Sequence, residues 1–342
     1  MSNIIANPKT YTGNELSEIF FRPMLTGADA QSLGIKILYN MPVPTTLNYW
    51  HRSGDILKSY AKGWAGGSIA DKFQKTINLS KVKSEMGYSA SDYFGMVWEQ
   101  ITNKAGVNLD DLSGTELEAA ETQLFREAIA ESIRATMWLG DTTRDNGGFN
   151  SFDGLIKSIK GQLASTAGVA TANKITHVTM TDLTDPDAAQ SMFEALWLAA
   201  DPRLRQEKST GNLRFFVTDD VYENYTQTLE GMGYGIESAA VALQDGRDTI
   251  KWRGVEVVNI GVSSYLGALA DMPNSVIILT DSRNLALAVN STDYPGSEIR
   301  MWYNPDEMEN RQRAIFMAGT EALLPELIVA SFVDKVVEED EN

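Results

Sequence analysis

Apolar side chains recur at three- and four-residue steps through one long stretch of the chain. Leu117, Leu124, Phe125, Ala128, Ile129, Ile133 and Met137 fall on one side of a helical projection, with Glu116, Glu118, Glu121, Glu127, Glu131 and Arg134 elsewhere around it. Thr115 and Glu118 form the S/T-x-x-E capping pattern and Gly140 supplies a stop, so the spacing predicts one helix over 115–139. At the rise of an α-helix it spans roughly 40 Å, long enough to be a backbone element of the fold. Upstream the period changes to two: Phe73, Lys75, Ile77 and Leu79 share one side of a strand, and Gly63, Gly66 and Gly67 precede it. That predicts a long hairpin with a glycine-rich tip. Residues 1–33 read as a polar arm with a short helix over about 15–21, ended by Pro23, and Ser89 or Ser91 caps a helix carrying Tyr93, Phe94, Val97 and Ile101.

Beyond Gly140 the elements shorten. Asp145-Asn146-Gly147-Gly148 is a turn, 152–159 an amphipathic helix, and 164–173 a loop of small residues. Asp185-Pro186 opens a helix whose stripe is Met192, Phe193, Leu196 and Ala200, down to Pro202. Leu213 to Thr218 is a buried strand, and Asp219 caps a helix bearing Val221, Tyr222, Tyr225 and Leu229. Ile250 to Val258 and Val276 to Val289 add strands, completing a mixed lobe. Glu298 to Tyr303, Arg313 to Thr320 and Leu327 to Phe332 are strand-like, with a polar turn at Asn304-Pro305-Asp306. The final nine residues carry five carboxylates against Lys335 and read as a solvated tail.

Charge sharpens the picture of the hairpin. From His51 to Ser84 the cations Arg52, Lys58, Lys62, Lys72, Lys75, Lys81 and Lys83 face only Asp55 and Asp71, a net charge of plus five. The chain as a whole carries minus 17, which leaves minus 22 on the remainder. Phosphate contacts come from lysine and arginine, so this balance argues against a high-affinity nucleic-acid binder. The start of the chain lacks a basic region followed by an apolar run, and no apolar window is long enough to span a bilayer. The protein is therefore expected to remain in the compartment where it is made, with no membrane partner.

The chemistry-bearing residues are few. With no cysteine, thiolate metal sites, disulfides and cysteine nucleophiles are excluded. The two histidines, His51 and His177, are isolated in sequence. Walker A, G-x-S-x-G, H-E-x-x-H and EF-hand patterns are absent. Gly231-Met232-Gly233-Tyr234-Gly235 follows a helix, unlike a dinucleotide fingerprint, and reads as a loop. Asp141, Asp145 and Asp153 form the one carboxylate group that a metal-dependent hydrolase would use, but a helix stop and a turn explain Asp141 and Asp145, and Asp153 stands where it caps the next helix. Asp219 and Asp220 read as the acidic start of a helix. No catalytic, cofactor-binding or metal-ligating residue is assigned, and no cofactor is expected. Trp302 and Tyr303, in a strand with charged neighbours, are candidate interface anchors.

Several strings, in their order, carry a resemblance. They are Trp138-Leu139-Gly140-Asp141, Phe152-Asp153-Gly154-Leu155-Ile156, Phe216-Val217-Thr218 followed by Val221-Tyr222, the run from Lys251 to Val258, and Asn274 to Thr280. Together with the order arm, hairpin, long helix, mixed lobe and closing strands, the chain resembles the major capsid proteins of tailed bacteriophages, the HK97-fold family. The resemblance implies an α+β fold with an N-terminal arm over 1–35 and an extended loop over 36–88 that reaches across a neighbouring subunit. A peripheral domain over 89–179 holds the spine helix 115–139, an axial domain covers 180–295, and 296–342 supplies return strands and the acidic tail.

It further implies a non-enzymatic protein of the virion, assembled in the host cytoplasm. Its expected partners are other copies of itself in hexamers and pentamers, a portal, a separate scaffolding protein and double-stranded DNA held by enclosure, and it allows a decoration protein. On this reading Lys58, Lys62, Lys72 and Lys75 face Glu116, Glu121, Glu127 or Glu131 of a neighbour, because the spine segment 113–134 holds five glutamates against two arginines. The rival readings are an encapsulin-type nanocompartment shell, a tail-tube subunit and the acidic hydrolase.

Overall fold

The computed structural model describes residues 30, 32–39, 45–51, 60, 62–63, 71–89, 116–145, 148–163, 174–179, 183, 185–231, 250–290 and 298–333. Its elements begin with β1 (Lys36–Tyr39), β2 (Thr45–His51), β3 (Asp71–Ile77), β4 (Ser80–Tyr88), α1 (Glu116–Leu139) and α2 (Leu155–Gly161). Then come β5 (Thr176–His177), α3 (Ala188–Ala199), α4 (Pro202–Gln206), β6 (Leu213–Val217), α5 (Asp219–Gly231), β7 (Ile250–Trp252) and β8 (Val255–Asn259). The last are α6 (Ser263–Leu266), β9 (Ser275–Asp281), β10 (Leu285–Asn290), β11 (Glu298–Asn304), β12 (Glu309–Ala322) and β13 (Ile328–Val333).

Every residue of β9 is buried, which requires cover on both faces of its sheet. The strand lies inside a six-stranded sheet in the order β5-β13-β9-β6-β8-β7, and alternate side chains divide between two cores. Phe215, Val217, Ile277, Leu279 and Val329 pack with Met192, Phe193, Leu196, Val221 and Tyr225 of α3 and α5. Phe216, Val276, Ile278 and Ala330 pack with Met137, Trp138 and Leu139 at the end of α1 and with Leu155, Ile156 and Ile159 of α2. Each fully buried side chain of this size contributes roughly 1.5–3 kcal/mol, so the two cores hold α1, the sheet and the helix pair as one body.

A second sheet is built on β12, whose 14 residues reach about 46 Å. Residues 310–318 pair with β4, while 309–315 pair with β11 and 317–322 with β10, so β4 lies along one edge and β11 and β10 lie end to end along the other. β1 adds to β10 in parallel. β2 and β3 pair only with each other, as a separate two-stranded sheet, among the described residues.

Several expectations change. Lys36–Tyr39 is an edge strand of the second sheet and β4 is paired along its length with β12, so of the described strands in 36–88 only β2 and β3 form a sheet of their own. The apolar run 276–289 is two strands in two sheets. The Asp281 carboxylate accepts from the Arg283 amide at 2.8 Å and pairs with its guanidinium at 2.5 Å, turning the chain through a short 3₁₀ turn, Ser282–Asn284. Asn284 then stitches the crossing, donating to the Leu324 carbonyl at 2.9 Å and accepting from the Leu324 amide at 2.7 Å. β13 returns to the six-stranded sheet beside β9 and does not extend the second one.

The strand expected over 313–320 runs from Glu309 to Ala322, and α3 begins at Ala188, two residues after Pro186. The helix expected over 152–159 is Leu155–Gly161. The arm helix, the helix after Ser89, the loop 164–173, the glycine-rich stretch after Gly231 and the acidic tail lie outside the described residues.

Candidate subunit interface

The hairpin and the long helix carry the residues for which a role between subunits was expected. α1 begins at Glu116, the first expected acidic residue, and the expected Thr115 cap lies outside the described residues. Glu127 is half-buried and accepts from Gln123 at 2.7 Å, whereas Glu121 is buried, as is Glu131. Glu131 is held within the chain: Arg134 donates to both of its oxygens, at 2.8 and 2.5 Å, and the Tyr265 hydroxyl donates at 2.7 Å. The Arg134 guanidinium also reaches the carbonyls of Ile260 (3.3 Å) and Gly261 (3.0 Å), so this pair ties α1 to the segment that follows β8. Arg134 holds the Glu131 carboxyl below its ordinary range, with help from Tyr265 and against its burial.

Among the lysines, Lys62 is exposed, Lys72 stands opposite Trp50 in the hairpin register, and Lys58 lies outside the described residues. Lys75 corrects the expectation. Its ammonium donates to Gln162 Oε1 at 2.9 Å and pairs with Glu321 at 3.3 Å, so it is spent inside its own chain. Its neighbour on the same face, Ile77, is fully buried against Ala286, Ala288 and Leu323. Lys75, Glu121 and Glu131 therefore leave the expected set of contacts with a neighbour.

The helix stop is built by close backbone approach. Gly154 donates its amide to the Gly140 carbonyl at 2.8 Å, and a Cβ on Gly140 would stand 2.1 Å from the Phe152 carbonyl oxygen. A Cβ on Gly154 would meet the Gly140 nitrogen at 2.5 Å, so neither position admits a side chain. The two strings Trp138–Asp141 and Phe152–Ile156 thus meet across this pair of glycines. No basic residue stands in the last turn of α1, but Arg144 folds back from the following loop to donate to the Leu139 carbonyl, where a cation complements the helix dipole. Asp271 holds that guanidinium at 2.5 Å.

The carboxylate group that a hydrolase would need is occupied by a lysine. Lys157 bridges Asp141 at 2.6 Å and Asp153 at 2.7 Å, and Thr142 and Thr143 donate to the same carboxylates. Burial works against ionisation of Asp141, yet Lys157 and Thr143 outweigh it and hold its carboxyl at about 2. Lys157 is raised despite its own burial, through its hydrogen bonds to Asp141 and Asp153. Asp153 is not a helix cap, because the cap position of α2 is Gly154 and no side chain bonds there.

A cleft of about 640 Å³ at one end of the six-stranded sheet is lined by Asp219, Asp220 and Glu223, with no cation among the described residues that line it. Asp219 accepts from Asn259 at 2.7 Å and Asp220 from the Ser275 hydroxyl. No group of three acidic, histidine or cysteine side chains suited to a metal occurs among the described residues. His51 lies opposite Asp71 in the hairpin register and His177 opposite Ala330, in different sheets. Trp302 is 40% exposed on β11, at the margin of the second sheet, with the Arg313 guanidinium over its ring at 5.6 Å.

Sequence reasoning did not find the Lys75–Gln162–Glu321 contact or the return of Arg144, since both join segments far apart in the chain. It also missed Asn224. That buried amide donates to the carbonyls of Leu183 and Asp185 and accepts from the Ala189 amide, tying the start of α3 to α5.

No family model matches the chain, and no curated protein matches it. Solved structures do. The capsid of Myoviridae phage XM1 aligns with a TM-score of 0.53 at 12% identity, over 96% of this chain and 100% of that one. The capsid of an empty GTA particle aligns with a TM-score of 0.52 at 13% identity, over 98% and 94%. The SrpI encapsulin of Synechococcus elongatus PCC 7942, solved as a holo complex, aligns with a TM-score of 0.50 at 13% identity, over 91% and 90%. At these identities the likeness is one of fold, and it runs nearly the full length of both partners.

Proposed function

We propose, from the HK97-type capsid fold that this chain adopts, that it is the major capsid protein of a tailed phage. On this reading it assembles into hexamers and pentamers that close an icosahedral shell around double-stranded DNA. One observation carries the reading beyond the likeness of fold. The β2–β3 hairpin is a two-stranded sheet without a third strand among the described residues, and such a ribbon is marginal in water unless something covers it. A neighbouring copy is the cover that a closed shell supplies at every position.

The hairpin's charge gives the contact its direction. Lys58, Lys62 and Lys72 meet the neighbour's Glu116 and Glu127 in this proposal. Each exposed pair contributes only about 0–1 kcal/mol, so orientation comes from many copies together. The β12 sheet with α1 serves as the peripheral domain and the six-stranded sheet with α3 and α5 as the axial domain. A net charge of minus 17 suits a wall that encloses DNA without gripping it. Portal and scaffolding partners belong to the same proposal. Nothing in the arrangement of described side chains supports an enzymatic role.

Electron microscopy of the purified protein, expressed alone and with its genomic neighbours, tests the reading. Closed shells or hexameric sheets are expected, and a stable monomer under both conditions refutes it. The SrpI likeness favours a second reading, an encapsulin-type compartment. Shells that carry a co-purified enzyme and no DNA would select it.

A further inference from the structure

We propose that Lys75, Gln162 and Glu321 form a latch that fixes the direction in which the β2–β3 hairpin leaves the body of the protein. Its consequence for the neighbouring copy rests on the shell reading above.

The hairpin is anchored first at its root. Ile77, the last residue of β3, is fully buried among Ala286, Ala288 and Leu323. The next residue, Asn78, lays its carbonyl against β12 where Gly319 leaves room: a Cβ at Gly319 would stand 2.1 Å from that oxygen. One anchored point sets where a ribbon starts but not where it aims. A second point away from the first is needed, and Lys75 lies two residues earlier on the same face, about 7 Å along the strand. There it meets acceptors that are already held. Glu321 Oε1 takes hydrogen bonds from Ser158 Oγ at 3.0 Å and Gln162 Nε2 at 3.2 Å, besides its ion pair with Lys75.

Gln162 follows α2 and Glu321 lies in β12, so the receptor for the ammonium is built on two elements of the body and none of the hairpin. Lys75 and Glu321 side chains are each 17% exposed, and Glu321 and Gln162 line a polar crevice with Asn78 and Ser80. An ammonium desolvated to that degree beside a fixed carboxylate has one favourable geometry, unlike an exposed lysine free to choose partners. Lys75 and Glu321 are therefore positioning residues: their contacts lie within the chain, and through them the direction of the hairpin is set.

Hydrogen exchange on the purified subunit tests the latch without requiring assembly. In Lys75→Met and Glu321→Gln, the amides of 45–51 and 71–77 are expected to exchange at least about fivefold faster while those of β9 keep their rates. The charge swap Lys75→Glu with Glu321→Lys should bring the hairpin back to within about twofold of wild type, with the Gln162 amide turned over to serve it. Hairpin exchange within about twofold of wild type in both single variants overturns the proposal. So does acceleration shared equally by β9, which would mean a general loss of stability.

Microscopy then tests the consequence. At least about threefold fewer closed shells are expected from the single variants, with a melting temperature within a few degrees of wild type. Normal shell yield despite fast hairpin exchange would overturn the role in assembly. If the wild-type protein builds no shells, the shell reading fails, and the exchange rates still decide the latch.

Discussion

Replacing Lys157 by methionine keeps the apolar stem and removes the ammonium that bridges Asp141 and Asp153. Asp141, ordinarily at 3.8, is held at about 2 in the folded protein, and its side chain is only 17% exposed. At about 1.4 kcal/mol per pKa unit, that depression corresponds to about 2 kcal/mol of folding stability. Because the folded value is the lower one, the stabilisation is complete above about pH 4 and is lost as the pH falls through about 2. Asp153 is depressed in the same direction but is half exposed, so solvent screening reduces its share. Urea unfolding of the unassembled subunit, followed by tryptophan fluorescence, should show Lys157→Met less stable than wild type by about 2–3 kcal/mol at pH 7, with the gap closing below about 1 kcal/mol near pH 2. Adding Asp141→Asn should recover part of the loss at pH 7, since no uncompensated carboxylate then remains at that position. A gap of equal size at both pH values would refute the electrostatic account and assign the loss to packing.

Gly140→Ala forces a Cβ against the Phe152 and Thr136 carbonyl oxygens, at 2.1 and 2.6 Å, and should cost about 3 kcal/mol or more, read as a fall in soluble yield and melting temperature; a loss below about 1 kcal/mol would contradict the close approach. Asn224→Ala strips three hydrogen bonds from the start of α3 and should destabilise by about 2 kcal/mol in urea titration, with faster exchange at the first turn of α3. Reversing Lys58, Lys62 and Lys72 to glutamate should lower shell yield and remove its sensitivity to salt between about 0.1 and 1 M, the range in which screening contracts from about 10 to 3 Å. Yield and salt tolerance equal to wild type would eliminate the proposed contact with Glu116 and Glu127.

The long helix was legible from its 3.6-residue stripe, and because Gly140 stops it for a steric reason that admits no other residue. The run 276–289 was not. A strand buried on both faces loses the alternation that distinguishes it, so nothing in its apolar pattern marks the change of sheet, and the only local sign is the polar step Asp281-Ser282-Arg283-Asn284. The destination of β13 is likewise settled by pairing with β9, some fifty residues earlier, and pairing of that range leaves no trace in local periodicity.

Lys75 shows the sharper lesson, because its signal was present and its charge concealed it. The two-residue period groups Lys75 with Ile77, and Ile77 is fully buried. A lysine on the buried face of a strand cannot be a free surface cation; it needs a fixed acceptor within reach of its stem, as Gln162 and Glu321 provide. Counting charge over the hairpin treated seven cations as equivalent, whereas the pleat separates them by face. Period therefore takes precedence over composition when a charged segment is assigned to a partner. Applied to β4, the same rule puts Lys81 and Lys83 on its exposed face with Glu85, where Lys83 and Glu85 already pair at 2.8 Å. The period thus separates Lys75, which faces the body, from Lys81 and Lys83 on the exposed face of β4.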